Sequence, residues 1–278
     1  MYCINVLIRA IGLIRGRDLR TSMKSLILPI ILALSFAVVA QTPAAVERDI
    51  LAQLKDVDKF GSYGDDSDEE KLDAANSAVR DLLIKNAARL DVLRYSFPAL
   101  KKEINIVTSR DGKLRIYSWD MQTGGTMHDY DTVFQYQGAS GKTYSWTAPD
   151  SSEDSGGGFF SQIFQVDSAS GPIYIANSTF VAETSLHGQS IETMRILRDK
   201  LERSAKLIKT ASGLKSSIDF SYDPFSSPKG TDELVFFDPV RKSFRFPVII
   251  EDKKDDRGRI TNRFITYRFN GQYFVKVP

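Results

Sequence analysis

The sequence contains one cysteine, Cys3, and two histidines, His128 and His187, among its 278 residues. Cys3 lies in an N-terminal region that we expect to be removed, so the mature chain would contain no thiol. This absence excludes disulfides, thiol catalysis and thiolate metal sites. The two histidines are 59 positions apart and belong to no metal-binding motif. We therefore expect neither a bound metal nor a cofactor.

The chain also has no large excess of basic over acidic residues, or of acidic over basic residues. The chain has 37 basic and 35 acidic residues, and five of the basic and one of the acidic residues lie within residues 1–40. The remainder carries a net charge of −2, which argues against a nucleic-acid partner. Hydrophobic residues make up 42% and charged residues 26% of the chain, the balance of a folded globular protein. Neither a P-loop nor a Gly-x-Ser-x-Gly motif is present.

The apolar run Leu26 to Val39 is about 14 residues long, shorter than the roughly 20 that cross a bilayer as a helix. Lys24 precedes the run, and Val38 and Ala40 suit the small positions of a signal-peptidase site. We expect residues 1–40 to be a leader and signal peptide, with translation starting at Met23, and the protein to be periplasmic or secreted. An N-terminal membrane anchor is the alternative. A mature chain of about 240 residues without cysteine fits a bacterial source.

Residues 41–98 predict an antiparallel pair of helices. Thr42 followed by Pro43 is typical of a helix start, and apolar residues then recur on one face. Ser67 and Glu70 form a capping box at the start of the second helix. The acidic run 65–70 lacks the spacing of an EF-hand, so we interpret it as this helix start.

Residues 99–278 predict a β-rich domain, because β-branched and aromatic segments alternate with turns. Three hairpins, at 105–119, 133–146 and 163–175, place Tyr117, Tyr144 and Tyr174 at intervals of 27 and 30 residues. Further hairpins are predicted around 194–209, 233–249 and 264–277, the last with the two-residue turn signal Asn270-Gly271. The expected fold is mainly β with an N-terminal helix pair. Its serial antiparallel hairpins form a partly open meander, either propeller-like or a sandwich, whose edges the helices cover.

The segment from Arg115 to His128 is the densest in chemically useful side chains. In one interpretation Trp119, Asp120, Thr126 and His128 line a ligand cleft. In the other the segment is a structural corner, with Trp119 in the core and Asp120 bonded to loop amides. The tract resembles an "RIYSWD–TGGTM"-like tract in uncharacterised exported bacterial β-rich proteins. The resemblance, over about residues 95–278, implies export and this architecture but no activity.

Trp146, next to the glycine-rich segment 150–158, is a further candidate for stacking on a sugar or peptide. We expect an exported, non-enzymatic binding protein without catalytic residues or stable membrane insertion. Its partner would be a protein, such as an enzyme that it inhibits, or a cell-envelope glycan. A secreted hydrolase that uses carboxylates or His128 is one alternative, and a structural envelope protein is another.

Overall fold

The computed structural model describes residues 41–124, 127–148, 157–227, 233–252 and 255–278. The helices described are α1 (Pro43–Phe60), α2 (Glu69–Ala87) and α3 (Leu90–Arg94), with 3-10 turns at Leu100–Lys102 and Pro224–Ser226. The strands described, in chain order, are β1 (Asn105–Thr108), β2 (Leu114–Asp120), β3 (Tyr130–Gln137), β4 (Thr143–Thr147), β5 (Phe159–Ser168), β6 (Gly171–Glu183), β7 (Leu186–Leu197), β8 (Lys200–Glu202), β9 (Ile208–Thr210), β10 (Gly213–Lys215), β11 (Ser217–Tyr222), β12 (Phe236–Asp238), β13 (Ser243–Asp252), β14 (Asp255–Phe269) and β15 (Phe274–Val277). Within these ranges no helix has the length and apolarity needed to cross a membrane.

The first helix starts as predicted, and the second starts one residue later. The Thr42 hydroxyl accepts a hydrogen bond from the Ala45 amide, with Pro43 in the first turn. Helix α2 is capped by Asp68 and not by Ser67, so the predicted capping box is wrong. Asp68 accepts from the Lys71 backbone amide at 3.1 Å and from the Lys71 ammonium at 2.7 Å. A carboxylate can accept both bonds and also carries the negative charge that a helix N-terminus favours.

The strands form three sheets, which we call the first, middle and outer sheets. The first sheet has the order β1-β2-β3-β4, and the middle sheet has the order β11-β7-β6-β5 with β8 paired to β7. The outer sheet has the order β10-β9-β15-β14-β13-β12. The strand pairs are antiparallel except for β15 with β9, which is parallel. Consecutive hairpins in the first and middle sheets confirm the predicted antiparallel meander.

Alternating side chains stack these layers face to face. In β2, Tyr117 and Trp119 pack with the helices, whereas Leu114 and Ile116 pack with the middle sheet. In β6, Tyr174 belongs to the core shared with the first sheet, and Ile175 to the core shared with the outer sheet. The order of layers is therefore helices, first sheet, middle sheet and outer sheet. Of the two architectures that the sequence leaves open, this is the sandwich and not the propeller. The helices cover a sheet face, so the expectation that they cover the sheet edges is wrong.

The connection between β14 and β15 differs from the predicted two-residue turn. Pairing ends at Phe269 and Phe274, so residues 270–273 form the loop. The Asn270 side-chain oxygen accepts from the Gln272 amide at 3.0 Å and from the Tyr273 amide at 2.8 Å. These local bonds stabilise a longer turn, in which Gly271 supplies the positive φ of 102°. By contrast, the predicted strand–turn–strand at 194–209 is confirmed, since β7 turns directly into β8.

A buried carboxylate fastens α1 to the chain that enters the first sheet. Glu47 is 5% exposed and accepts from the Tyr95 hydroxyl at 2.9 Å. It also accepts from the backbone amides of Ala99 and Leu100, at 2.8 and 2.9 Å. The Leu100 amide is buried, whereas Tyr95 is half-buried and Ala99 is exposed. Without the carboxylate the Leu100 amide would be left unsatisfied, so Glu47 stabilises both the helix and the turn.

We predict that Glu47→Ala lowers the free energy of unfolding by about 1–3 kcal/mol, because it leaves the buried Leu100 amide without an acceptor and removes two further hydrogen bonds. Urea denaturation checks the value. Asp58→Ala removes an exposed carboxylate of the same helix and should change stability by about 0.5 kcal/mol or less. If the two variants lose equal stability, the buried contacts of Glu47 do not stabilise the fold.

Candidate functional site

An open cleft of 1130 Å³ lies where α2 and the first sheet meet the middle sheet. Its floor is a row of directly paired residues across the middle sheet: Phe160, Ser178, Ser190 and Asp219. Paired residues point to the same face, so this row faces the first sheet. The lining also includes Asp73, Arg80, Met121, Asp129, Tyr130, Asp131, Thr132, Trp146, Ala148, Gly157, Gly158, Phe180, Glu192, Arg203, Ser204, Ser216 and Ser217.

A glycine, which has no side chain, determines the shape of one end of the cleft floor. Gly188 is paired with Phe180, and a Cβ at Gly188 would lie only 1.8 Å from the Phe180 ring. The glycine therefore lets the phenyl ring lie across the neighbouring strand, where it forms part of the cleft lining.

Two arginines of the cleft are already engaged by carboxylates. Arg203 donates to both oxygens of Glu192, at 3.1 and 3.2 Å, and its guanidinium lies 5.0 Å from the centroid of the Trp146 ring. Arg80 donates to Asp131 at 2.7 Å. Both positive charges are thus neutralised inside the cleft.

Three further carboxylates of the lining have no cationic partner among the described residues: Asp73, Asp129 and Asp219. Asp129 accepts from the Thr123 hydroxyl, and Asp219 from the Ser217 hydroxyl, both at 2.9 Å. The cleft is therefore negatively charged. This charge favours neutral or cationic ligands over anionic ones.

The two tryptophans occupy different environments. Trp119 is 1% exposed and donates its indole N–H to Asn76 at 3.0 Å. Asn76 in turn donates to the carbonyls of Leu72 and Met121. Trp119 therefore joins α2 to the first sheet and does not line the cleft. Trp146 is half-buried at the cleft wall, and its indole N–H has no hydrogen-bond partner in the described part of the chain.

Asp120 and His128 lie next to the cleft and bond to each other. His128 Nδ1 is 2.6 Å from Asp120 Oδ2, and the side chains are 40% and 25% exposed. Asp120 Oδ1 also accepts from the Gln122 amide at 2.8 Å, which stabilises the strained φ of 57° at Gln122. Asp120 thus combines a structural role with the orientation of an accessible imidazole.

Tyr130 connects this pair to the cleft. Its ring stacks on His128 with centroids 6.3 Å apart, and it lies in the cleft lining. Burial, reinforced by the negative charge of Asp120, raises the pKa of Tyr130 to about 12. Tyr130 therefore stays a neutral hydroxyl, able to donate and accept hydrogen bonds, across the physiological range.

The remaining predicted features lie elsewhere. Thr126 and most of segment 150–158 fall outside the described residues. His187 is in β7, with its ring 6.1 Å from that of Tyr222. Among the residues that the structure describes, no group of three or more histidine, aspartate or glutamate side chains could hold a metal ion.

Sequence reasoning missed most of the cleft lining. Ser178, Ser190 and Asp219 come from three strands, and Asp73 comes from a helix, so no local motif joins them. One available signal was Asn76, a polar residue on the apolar stripe of α2. A polar residue at such a position needs a buried partner, and here that partner is Trp119.

We predict that Trp119→Ala lowers the free energy of unfolding by about 3–5 kcal/mol, since it opens a cavity and leaves Asn76 with an unpaired oxygen. Trp146→Ala should cost markedly less, because that indole is only half-buried. Thermal and urea unfolding of the two variants, measured side by side, check this order. Equal losses would contradict the division into a structural and an accessible tryptophan.

Comparison of the chain with family models, with curated proteins and with solved structures gives no match. The resemblance to exported proteins with an "RIYSWD–TGGTM"-like tract therefore stays a prediction from the sequence. The chemistry of the cleft has to be inferred from the side chains that line it.

Proposed function

We propose that the protein is an exported, non-enzymatic binding protein of the periplasm or cell exterior, and that its cleft binds an uncharged or cationic glycan of the cell envelope. A glycan offers hydroxyl groups, which donate and accept hydrogen bonds, and C–H faces, which pack on aromatic rings. A suitable site therefore combines carboxylates, hydroxyls and an aromatic side chain in an open groove.

The indole N–H of Trp146, which meets no hydrogen-bond acceptor among the described residues, is the observation that carries this proposal. A buried tryptophan usually finds a partner for this donor, as Trp119 does with Asn76. Trp146 faces a cleft in which its donor meets no protein acceptor among the described residues. A ligand hydroxyl would supply that acceptor.

The floor of the cleft offers complementary groups. Ser178 and Ser190 lie side by side on neighbouring strands, and Asp219 continues the row. A carboxylate accepts hydrogen bonds from two vicinal hydroxyls, and serine hydroxyls adapt to either role. This polar row, which faces the first sheet, matches the repeated hydroxyl pattern of a sugar better than an apolar peptide side chain.

The negative charge of the cleft restricts which sugars can bind there. Asp73, Asp129 and Asp219 would repel uronate or phosphate groups, since Arg80 and Arg203 are held by their own carboxylates. We therefore expect neutral or amino sugars to bind and acidic sugars to be rejected.

We predict that a neutral or amino-sugar oligosaccharide changes the fluorescence of the full chain, which has two tryptophans. Trp146→Phe should abolish the change, and Trp146→Ala should weaken binding about tenfold or more, through lost packing and a lost hydrogen bond. Titration calorimetry against a panel of envelope oligosaccharides checks the affinity.

Phe225→Ala is the matched control, since Phe225 is 75% exposed and outside the cleft lining. It should bind like the parent protein. Binding that survives Trp146→Ala, or a preference for acidic sugars, would contradict the proposed site. Capture of a stoichiometric protein by the cleft, with no response to any sugar, would favour a protein partner instead.

A secreted hydrolase is the second candidate, and the contact between His128 and Asp120 favours it. A carboxylate that holds the imidazole through Nδ1 leaves Nε2 available as a general base. Under this alternative, His128 would act from the cleft rim beside Tyr130.

For the hydrolase alternative, we predict that His128→Gln abolishes turnover of a cleft substrate and leaves the melting temperature nearly unchanged. Asp120→Asn should lower turnover strongly while it keeps the bond to the Gln122 amide. Product release from labelled envelope glycans, assayed by chromatography, measures both. A parent protein that binds the glycan without releasing product would exclude this mechanism.

A further inference from the structure

The outer sheet has one face turned away from the middle sheet. Its other face packs with the middle sheet through large aromatic side chains, among them Phe244, Phe246, Tyr267 and Phe274. Side chains alternate between the faces of a sheet, so the residues between these aromatics point outward. The outward face ends the stack of layers in the described part of the chain.

Apolar and basic residues share this outward face. Two rows of paired residues define it. One row contains Leu214, Lys209, Val275 and Arg268, and it ends at Ser243, which is buried. The other contains Val277, Thr266, Arg245 and Phe236. Phe264 lies beyond the second row, paired with Pro247. Leu214, Phe236 and Phe264 are 40%, 41% and 41% exposed. Their apolar side chains are therefore accessible on this face.

Arg245 lies between the two exposed phenyl rings. Its guanidinium is 4.7 Å from the centroid of Phe264 and 5.5 Å from that of Phe236, and the rings contact each other edge to face at 5.9 Å. Arg245 forms no ion pair with a described carboxylate. The rings therefore orient a guanidinium whose N–H donors remain available for an external anion.

The positive charge extends across the face. Arg268 is a diagonal neighbour of Arg245, about 7–8 Å away between Cα atoms, and Lys209 lies two strands further along the same row. Asp238 lies two residues from Phe236 on the same strand, so it shares this part of the face, and it already pairs with Arg241 at 3.3 Å. Ile250 and Arg259 pair at the other end of the β13–β14 hairpin, where both are exposed.

We infer that this outward face docks on the surface of a bilayer that contains anionic phospholipid. Basic side chains are attracted to anionic headgroups, and exposed phenyl and aliphatic groups enter the interfacial region beside them. An exposed apolar patch on a protein surface often marks an interaction site, and a membrane interface accommodates both the apolar groups and the cations of this face. A polyanion that lacks an apolar part would engage the cations alone. A second copy of the chain would place like charges against each other.

This attachment is peripheral and differs from insertion of a helix. It also does not depend on the cleft, because the face and the cleft lie on opposite sides of the middle sheet. A failure of glycan binding would leave it intact, and the converse also holds.

Sedimentation of the full chain with vesicles tests the inference. We expect binding to vesicles of phosphatidylglycerol and phosphatidylcholine, weak binding to phosphatidylcholine alone, and a decrease with added salt. The double variant Arg245→Glu with Arg268→Glu should bind at least about tenfold more weakly. Phe236→Ser with Phe264→Ser should also weaken binding, whereas Arg245→Lys with Arg268→Lys should retain most of it.

Lys101→Glu with Lys102→Glu is the matched control, because it changes the net charge equally at exposed positions on the helical side. Every variant shares residues 1–40, so any contribution of that region is common to all of them. Equal binding by the two charge-reversal variants would overturn the inference. So would equal binding to neutral vesicles, or binding to soluble polyaspartate that is as strong and does not need the phenyl groups.

Discussion

Strand β2 buries both of its faces, and the rest of the structure depends on this constraint. Every residue from Leu114 to Trp119 is buried, so a partner layer is required on each side. The helices meet one requirement, and the middle sheet meets the other. Strand β6 has the same property between Ile173 and Thr179, which in turn requires the outer sheet. In the described part of the chain the stack ends there, since the outward face of the outer sheet carries exposed charged residues such as Arg245 and Arg268.

Polar groups in these buried faces fix how the layers fit together. Tyr117 donates to Gln135 at 2.8 Å, and Gln135 donates to the carbonyls of Ala87 and Arg89 at the end of α2. Arg115, 4% exposed, donates to the carbonyls of Val92 and Tyr95. Apolar packing alone would tolerate small shifts of a helix across the sheet. These hydrogen bonds allow only one position of the helices on the first sheet, since any shift would leave a buried donor or acceptor without its partner.

Local patterns in the sequence predicted the helix pair and six hairpins, because alternation and helical periodicity depend on neighbours in the chain. They missed the β6–β7 hairpin and misplaced the α2 cap and the β14–β15 turn. They were insufficient for the stacking of layers. Tyr117, Tyr144 and Tyr174 look equivalent in the sequence, yet Tyr117 packs with the helices while the other two lie between the first and middle sheets. The neighbour of each hairpin face is determined by the layer that packs against it. That layer is formed by residues far away in the sequence.

The residues of the candidate site were even harder to predict from local sequence patterns. Proximity in the sequence grouped Trp119, Asp120 and His128, but Trp119 points to the opposite face of β2 from the middle sheet. Net charge was equally uninformative. Among the described residues, the cleft holds carboxylates without a cationic partner and the outward face of the outer sheet holds cations without a carboxylate partner, so these opposite charges offset each other in the net charge. Local charge at two separated surfaces determines what each one attracts, and an almost neutral chain can present both.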